Sequence, residues 1–132
     1  YRVEPTATAY LLAGDETALP AIGQLLGHIP GTVPVNVVVE TAGPEARLQL
    51  PDHPSATVSW LDQSPGSSPG SALVAEVAAA AIDPDTRVWA AGEAAAMFQL
   101  RQHLFDGLHH PRSHASVRGY WKAGRAGDGD AG

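Results

Sequence analysis

Residues 10–26, YLLAGDETALPAIGQLL, decide the fold. An apolar run ends at Gly14, and Leu19, Ile22, Leu25 and Leu26 then recur at helical spacing. That pattern predicts a buried strand over about residues 6–14 running directly into a helix over about 17–26. Asp15 or Thr17 can cap the helix, and Pro20 is tolerated in a first turn, where backbone N–H groups have no intrahelical partner. Such a turn favours an anion, because free N–H groups and the helix dipole point at it. Yet Asp15 and Glu16 place two carboxylates there, and the glycine spacing of the dinucleotide fingerprint is missing. Two readings follow: a nucleotide turn of another design, or a helix whose first-turn acids only neutralise its own dipole.

The rest of the chain repeats the alternation. VPVNVVVE (33–40) is a valine-rich run expected of a strand covered on both faces. ATVSWL (56–61), RVWAAG (87–92) and SHASVRGYW (113–121) read as further strands. An alanine-rich helix is expected over 71–82 with Ser71 as its cap, and another over 93–108 with Met97, Leu100, Leu104 and Leu108 facing the core. DQSPGSSPGS (62–71) reads as a turn-rich surface loop. The expected fold is a three-layer α/β/α sandwich around a five-stranded, mostly parallel, doubly wound sheet. In such sheets ligands bind at the carboxyl ends of the strands. Those ends here are Gly14 to Thr17, Glu40-Thr41, Trp60-Leu61, Ala91 to Glu93 and Gly119 to Trp121.

The 132 residues suffice for one domain, and 44% hydrophobic with 17% charged residues is a globular composition. No apolar run is long enough to span a bilayer, so no membrane insertion is expected. YRVEPTATAY, at the start, has no signal-peptide pattern and no Met, which suggests a domain excised from a longer, cytoplasmic protein. The absence of cysteine excludes disulfides, thiolate metal sites and cysteine nucleophiles. A net charge of -6 argues against nucleic acid as a partner. The charge is uneven: residues 1–100 carry three Lys/Arg against eleven Asp/Glu, and residues 101–132 carry five against three. The tail, residues 125–132, is expected to be disordered.

Several stretches could carry chemistry. Thr17 can offer a hydroxyl and an N–H to a phosphate, and Gly14 lets the backbone turn tightly. In VWAAGEAAAM, the small residues Ala91 and Gly92 would let a flat ring lie on the backbone, with Glu93 opening the next helix. Glu40 could accept from the adenosine ribose of a dinucleotide and repel a 2′-phosphate, or could be a solvated strand-end charge. Tyr120 and Trp121, beside Arg118 and Lys122, could line a ligand site or clasp the C-terminus. His109, His110 and His114 share a Pro-containing turn, without the converging ligands a metal site needs, so no metal is expected. Ser64, Ser67 and Ser68 lack a nucleophile-elbow context.

GDETALPAI, VWAAGEAAAM followed by LRQHL, and the closing VRGYWKAGRAG together resemble the C-terminal domain of siderophore-interacting proteins. These are flavin-dependent ferric-siderophore reductases related to the ferredoxin–NADP reductase superfamily. The resemblance runs over residues 9–124. It implies that residues 1–124 are an NADH- or NADPH-binding domain, working in cis with an N-terminal FAD-binding barrel that this chain lacks. It implies hydride transfer from NAD(P)H to FAD, then single electrons to a ferric siderophore. Reduction would release the iron, because the ferrous ion is a poorer partner for hard oxygen ligands. By position, Gly14, Asp15, Glu16 and Thr17 would approach the cofactor or the flavin-facing edge, Ala91, Gly92 and Glu93 the nicotinamide, and Tyr120, Trp121 and Lys122 the siderophore. The alternative is a non-catalytic binding module that keeps a nucleotide crevice.

Overall fold

A computed structural model describes residues 2–4 and 6–124. The apolar run becomes β1 (Tyr10–Asp15), buried at all six positions. The other strands are β2 (Val35–Thr41), β3 (Ala56–Asp62), β4 (Arg87–Glu93) and β5 (Ala115–Trp121). They form one sheet in the order β3-β2-β1-β4-β5, with every neighbouring pair parallel. The central position of β1 accounts for its continuous burial, since a strand covered on both faces has no solvated side.

Helices cover both faces. α1 (Leu19–His28) packs Leu19, Ile22, Leu25 and Leu26 onto Tyr10, Leu12, Val37, Val39 and Trp89. α2 (Ser71–Ala79), α3 (Ala94–Arg101) and the turn that follows α3 pack Leu73, Val77, Met97, Leu100 and Leu104 onto Leu11, Ala13, Val38, Val88 and Ala90. Alternate residues of β1 thus feed two separate cores, as strand periodicity requires. The doubly wound three-layer architecture expected from the sequence is present, with a sheet that is parallel throughout.

The boundaries differ in instructive places. Residues 6–9 precede β1: a turn closes at Ala7 N–H to Glu4 O (3.0 Å), and pairing starts at Tyr10. α2 stops at Ala79, ahead of the turn that Asp83 closes with Thr86 (2.9 Å). α3 runs on into a π-helical turn, Gln102–Gly107. The wider turn, closed by Leu108 N–H to His103 O at 2.9 Å, rotates Leu108 off the core stripe and leaves it 43% exposed. The tail at 125–132 lies outside the described residues.

Gly14 is a packing residue. A Cβ there would stand 2.6 Å from Ala18 Cβ and 2.7 Å from Ala91 O. Only a bare backbone lets the turn after β1 seat against β4. Gly27, in α1, has no atom within 4 Å of a Cβ position. We expect Gly14→Ala to cost about 1–3 kcal/mol through overpacking. Gly27→Ala should be neutral or stabilise by up to about 1 kcal/mol, because alanine restricts the unfolded chain. Urea unfolding of the two variants measures the difference.

Candidate functional site

The carboxyl edge of the sheet is organised around Asp15. Its Oδ1 accepts from Thr17 N–H at 3.0 Å and from the Thr17 hydroxyl. Its Oδ2 accepts from Glu93 N–H at 3.1 Å and from the Trp121 indole N–H at 2.8 Å. One buried carboxylate therefore ties the exits of β1, β4 and β5 together. Gly92 makes room for it: a Cβ there would lie 2.8 Å from Oδ2.

Glu40 and Glu93 are also buried and also face helix starts. Glu40 accepts from Gly70 N–H at 2.7 Å and Leu73 N–H at 3.0 Å. It caps α2 from a distant strand, in place of Ser71, and it is not a solvated strand-end charge. Gly70 holds φ +89, and a Cβ there would sit 2.4 Å from Ala96 Cβ. Glu93 caps α3 through Ala96 N–H at 3.0 Å, and its other oxygen accepts from Ala123 N–H at 3.1 Å. Burial by itself raises the Glu93 pKa. Donation from the Ala96, Ala123 and Ala95 amides and the nearby Lys122 charge outweigh burial and hold it below its ordinary value.

A pocket of about 240 Å³ opens beside this network, lined by Asp15, Glu16, Thr17, Glu40, Gln63 and Trp121 among others. Glu16 reaches across it to accept from Ala42 N–H at 2.9 Å. β1 and β4 are neighbours as expected, with Gly14 opposite Ala91. The space between their exits, however, is filled by the Asp15 carboxylate, and the opening lies on the β2 side. Gly14, Ala91, Gly92 and Glu93 are buried, and none of them lines the pocket. Lys122 is exposed. Tyr120 points to the opposite face of the sheet, where its ring meets Trp89 edge-on at 6.4 Å.

Among the described residues no cation lines this pocket. The starts of α2 and α3, and of the short turn at Glu16–Ala18, already hold a carboxylate. The pocket is therefore rich in acceptors. It suits hydroxyl and amide donors, and it does not present free helix N-termini to a phosphate. Arg47, the loop cation nearest in sequence to β2, pairs with Asp62 at 2.7 Å and lies over the Trp60 ring. The contributions of Gln63 and Pro69 had no sequence signal beyond their place after a strand end. His110 and His114 turn ring nitrogens onto Thr86 O (3.0 Å) and Pro84 O (2.9 Å). Burial lowers the His110 pKa, and the Thr86 carbonyl offsets this only in part.

The family model described as siderophore-interacting protein matches residues 7–124. The mycobactin import ATP-binding/permease protein IrtA of Mycolicibacterium smegmatis is 30% identical over 124 residues, which are 93% of this chain and 14% of that protein. The uncharacterized protein Rv2895c of Mycobacterium tuberculosis is 32% identical over 136 residues, covering 95% of this chain and 48% of that one. A siderophore utilization protein from T. fusca superposes with TM-score 0.80 at 30% identity, over 92% of this chain and 48% of that chain. The siderophore-interacting protein SipS from Aeromonas hydrophila superposes with TM-score 0.80 at 24% identity, again over 92% and 48%. The chain thus spans half or less of the relatives it matches.

Because the folded Glu93 carboxyl sits below its ordinary pKa, the unfolded chain takes up that proton first. Its stabilisation is complete above the ordinary carboxylate range, near pH 4.5, and is lost as pH falls through it. We expect Glu93→Gln to cost about 1 kcal/mol at pH 7. The gap to the parent should narrow on acidification. Chemical unfolding of both proteins at pH 7 and at about pH 4 checks this, and an unchanged gap would show that the charge does not contribute.

Proposed function

The chain belongs to the siderophore-interacting protein family, and on that footing we propose that it is the pyridine-nucleotide-binding half of a flavin-dependent ferric-siderophore reductase. In this reading NADH or NADPH docks at the carboxyl edge of the sheet and passes hydride to FAD held by a separate N-terminal domain. Electrons then reach the ferric siderophore, whose iron is released. A role in siderophore utilisation follows from the family, and the nucleotide chemistry is our proposal. The observation that supports it is the acid-lined pocket at the carboxyl edge, next to the β1–β4 switch of the sheet.

The residues present fit one end of the cofactor better than the other. Ribose hydroxyls and the carboxamide of nicotinamide are donors, and Glu16 and Glu40 offer acceptors in the pocket, the Asp15 oxygens being already engaged. Glu40 spends one lone pair of each oxygen on Gly70 and Leu73, leaving capacity for a ribose hydroxyl. The pocket is smaller than the roughly 300–1,000 Å³ of sites that enclose a drug-sized ligand. It therefore takes the nicotinamide riboside end, with the phosphates outside. The bound cofactor would supply the hydride. This chain would position its ring, with Trp121 forming one wall, held by the Asp15 carboxylate for which Gly92 makes room. Tyr120, Trp121 and Lys122 stand at the end of β5, where a ferric siderophore would meet the two domains. Lys122 is exposed and suits an anionic complex.

The competing reading is a binding module without catalysis. The self-capped helix starts favour it, since they remove the usual phosphate sites. Two measurements separate the readings. NADH added to the chain should shift the amide resonances of Thr17 and Gly92 and quench Trp121 fluorescence, with Trp121→Phe as the control. NADPH should give the same shifts, because its extra phosphate stays outside the pocket with the others. Joined to the upstream region of its natural protein, with FAD bound, the chain should support NAD(P)H-driven reduction of a ferric siderophore. Absence of that activity in the flavin-loaded protein would refute the enzyme reading.

A further inference from the structure

On the sheet face that α1 covers, no helix among the described residues lies over β5. The uncovered strip forms a groove of about 490 Å³. Gln24 and His28 of α1 line one side and Arg118 and Tyr120 of β5 the other, with Trp89, Arg2 and a few aliphatic side chains between them. The Tyr120 ring stands at 77° to Trp89 and is 47% exposed. Among the described residues no carboxylate lines the groove, and neither Arg2 nor Arg118 pairs with a described acid. In a chain of net charge -6 this is a local reversal of sign.

The chemistry is selective. A guanidinium binds a carboxylate bidentately and stacks on flat rings. Tyr120 offers a ring to pair with another ring, and Trp89 beneath it fixes its angle. A simple anion would satisfy the arginines and leave the aromatic wall wet. An uncharged aromatic would do the reverse. We propose that this groove is a binding site for a planar aryl carboxylate, with the ring against Tyr120 and the carboxylate on Arg118 and Arg2. The site lies on a different face from the acidic pocket and does not depend on the nucleotide reading.

The test titrates the 132-residue chain with benzoate while following the Trp89 indole N–H and the Tyr120 amide by NMR. Saturable shifts at both are expected, with Thr17 and Gly92 unmoved. Acetate, which has the charge without the ring, and benzamide, which has the ring without the charge, should bind about tenfold more weakly. Arg118→Gln and Tyr120→Leu should each weaken binding about tenfold with the spectrum otherwise intact. Both residues are exposed, so the fold should survive, and the same spectra verify it. No saturation by about 10 mM ligand, equal binding of acetate, or shifts confined to the acidic pocket would each overturn the proposal. So would loss of the Trp89 and Tyr120 response when the chain is joined to the FAD-binding domain proposed above, which would assign the groove to that interface. NADH reads out at Thr17 and Gly92, so failure of one proposal is distinguishable from failure of the other.

Discussion

The carboxylate of Asp15 holds the functional edge of the molecule together. A buried carboxylate is costly unless its oxygens are fully satisfied. Here backbone and side-chain donors from three segments converge on it: Thr17, Glu93 and Trp121. Trp121 is 106 residues away in sequence, so the contact forms only when the whole sheet is assembled. The glycines are consequences of it. Gly92 leaves the volume the carboxylate occupies, and Gly14 brings the turn after β1 close enough to β4 for the side chain to reach.

The same device recurs at two more helix starts. Glu40 caps α2 and Glu93 caps α3, as Asp15 caps the turn before α1. In each case an internal acid takes the place that a phosphate occupies in the glycine-rich folds. The gain is stability independent of ligand, since each carboxylate satisfies orphan N–H groups and the helix dipole at once. The consequence for binding is a change in what the edge recognises. It keeps the strand order of a nucleotide fold but lines the edge with acceptors, the chemistry that complements hydroxyl and amide donors rather than anionic groups.

The layer order was legible because it rests on local periodicity. The alternation of apolar runs with helical stripes needed only neighbouring residues, and the valine run at β2 announced a strand covered on both faces. Asp15 was legible as a cap, two residues from its donor, but it caps the short turn at Glu16–Ala18, and α1 begins at Leu19 with no side-chain cap. Glu40 was not. Its partner Gly70 lies 30 residues away in a serine- and proline-rich loop, and no local signal links a strand-end acid to a distant helix start. The π turn was equally invisible, because the spacing from Met97 to Leu104 suits an α-helix and only the packing of the last turn decides otherwise. Ser71 looked like a cap by residue type, but the stronger acceptor came from tertiary structure.

The closing motif shows how one strand end can serve two surfaces. Side chains alternate across a strand, and β5 carries a register shift beside Gly92 and Glu93. Trp121 therefore turns to the Asp15 carboxylate while Tyr120 turns to Trp89 on the far face. The two aromatic residues, adjacent in sequence, cannot form one wall. Charge divides the same way: acids line the Trp121 pocket, and arginines line the Tyr120 groove. A ligand that touches both must wrap the end of β5, where Lys122 is exposed. A ligand that cannot wrap must choose between donor-rich and anionic chemistry. The sequence Gly119-Tyr120-Trp121-Lys122 thus separates two pockets of opposite charge, one on each side of the end of β5.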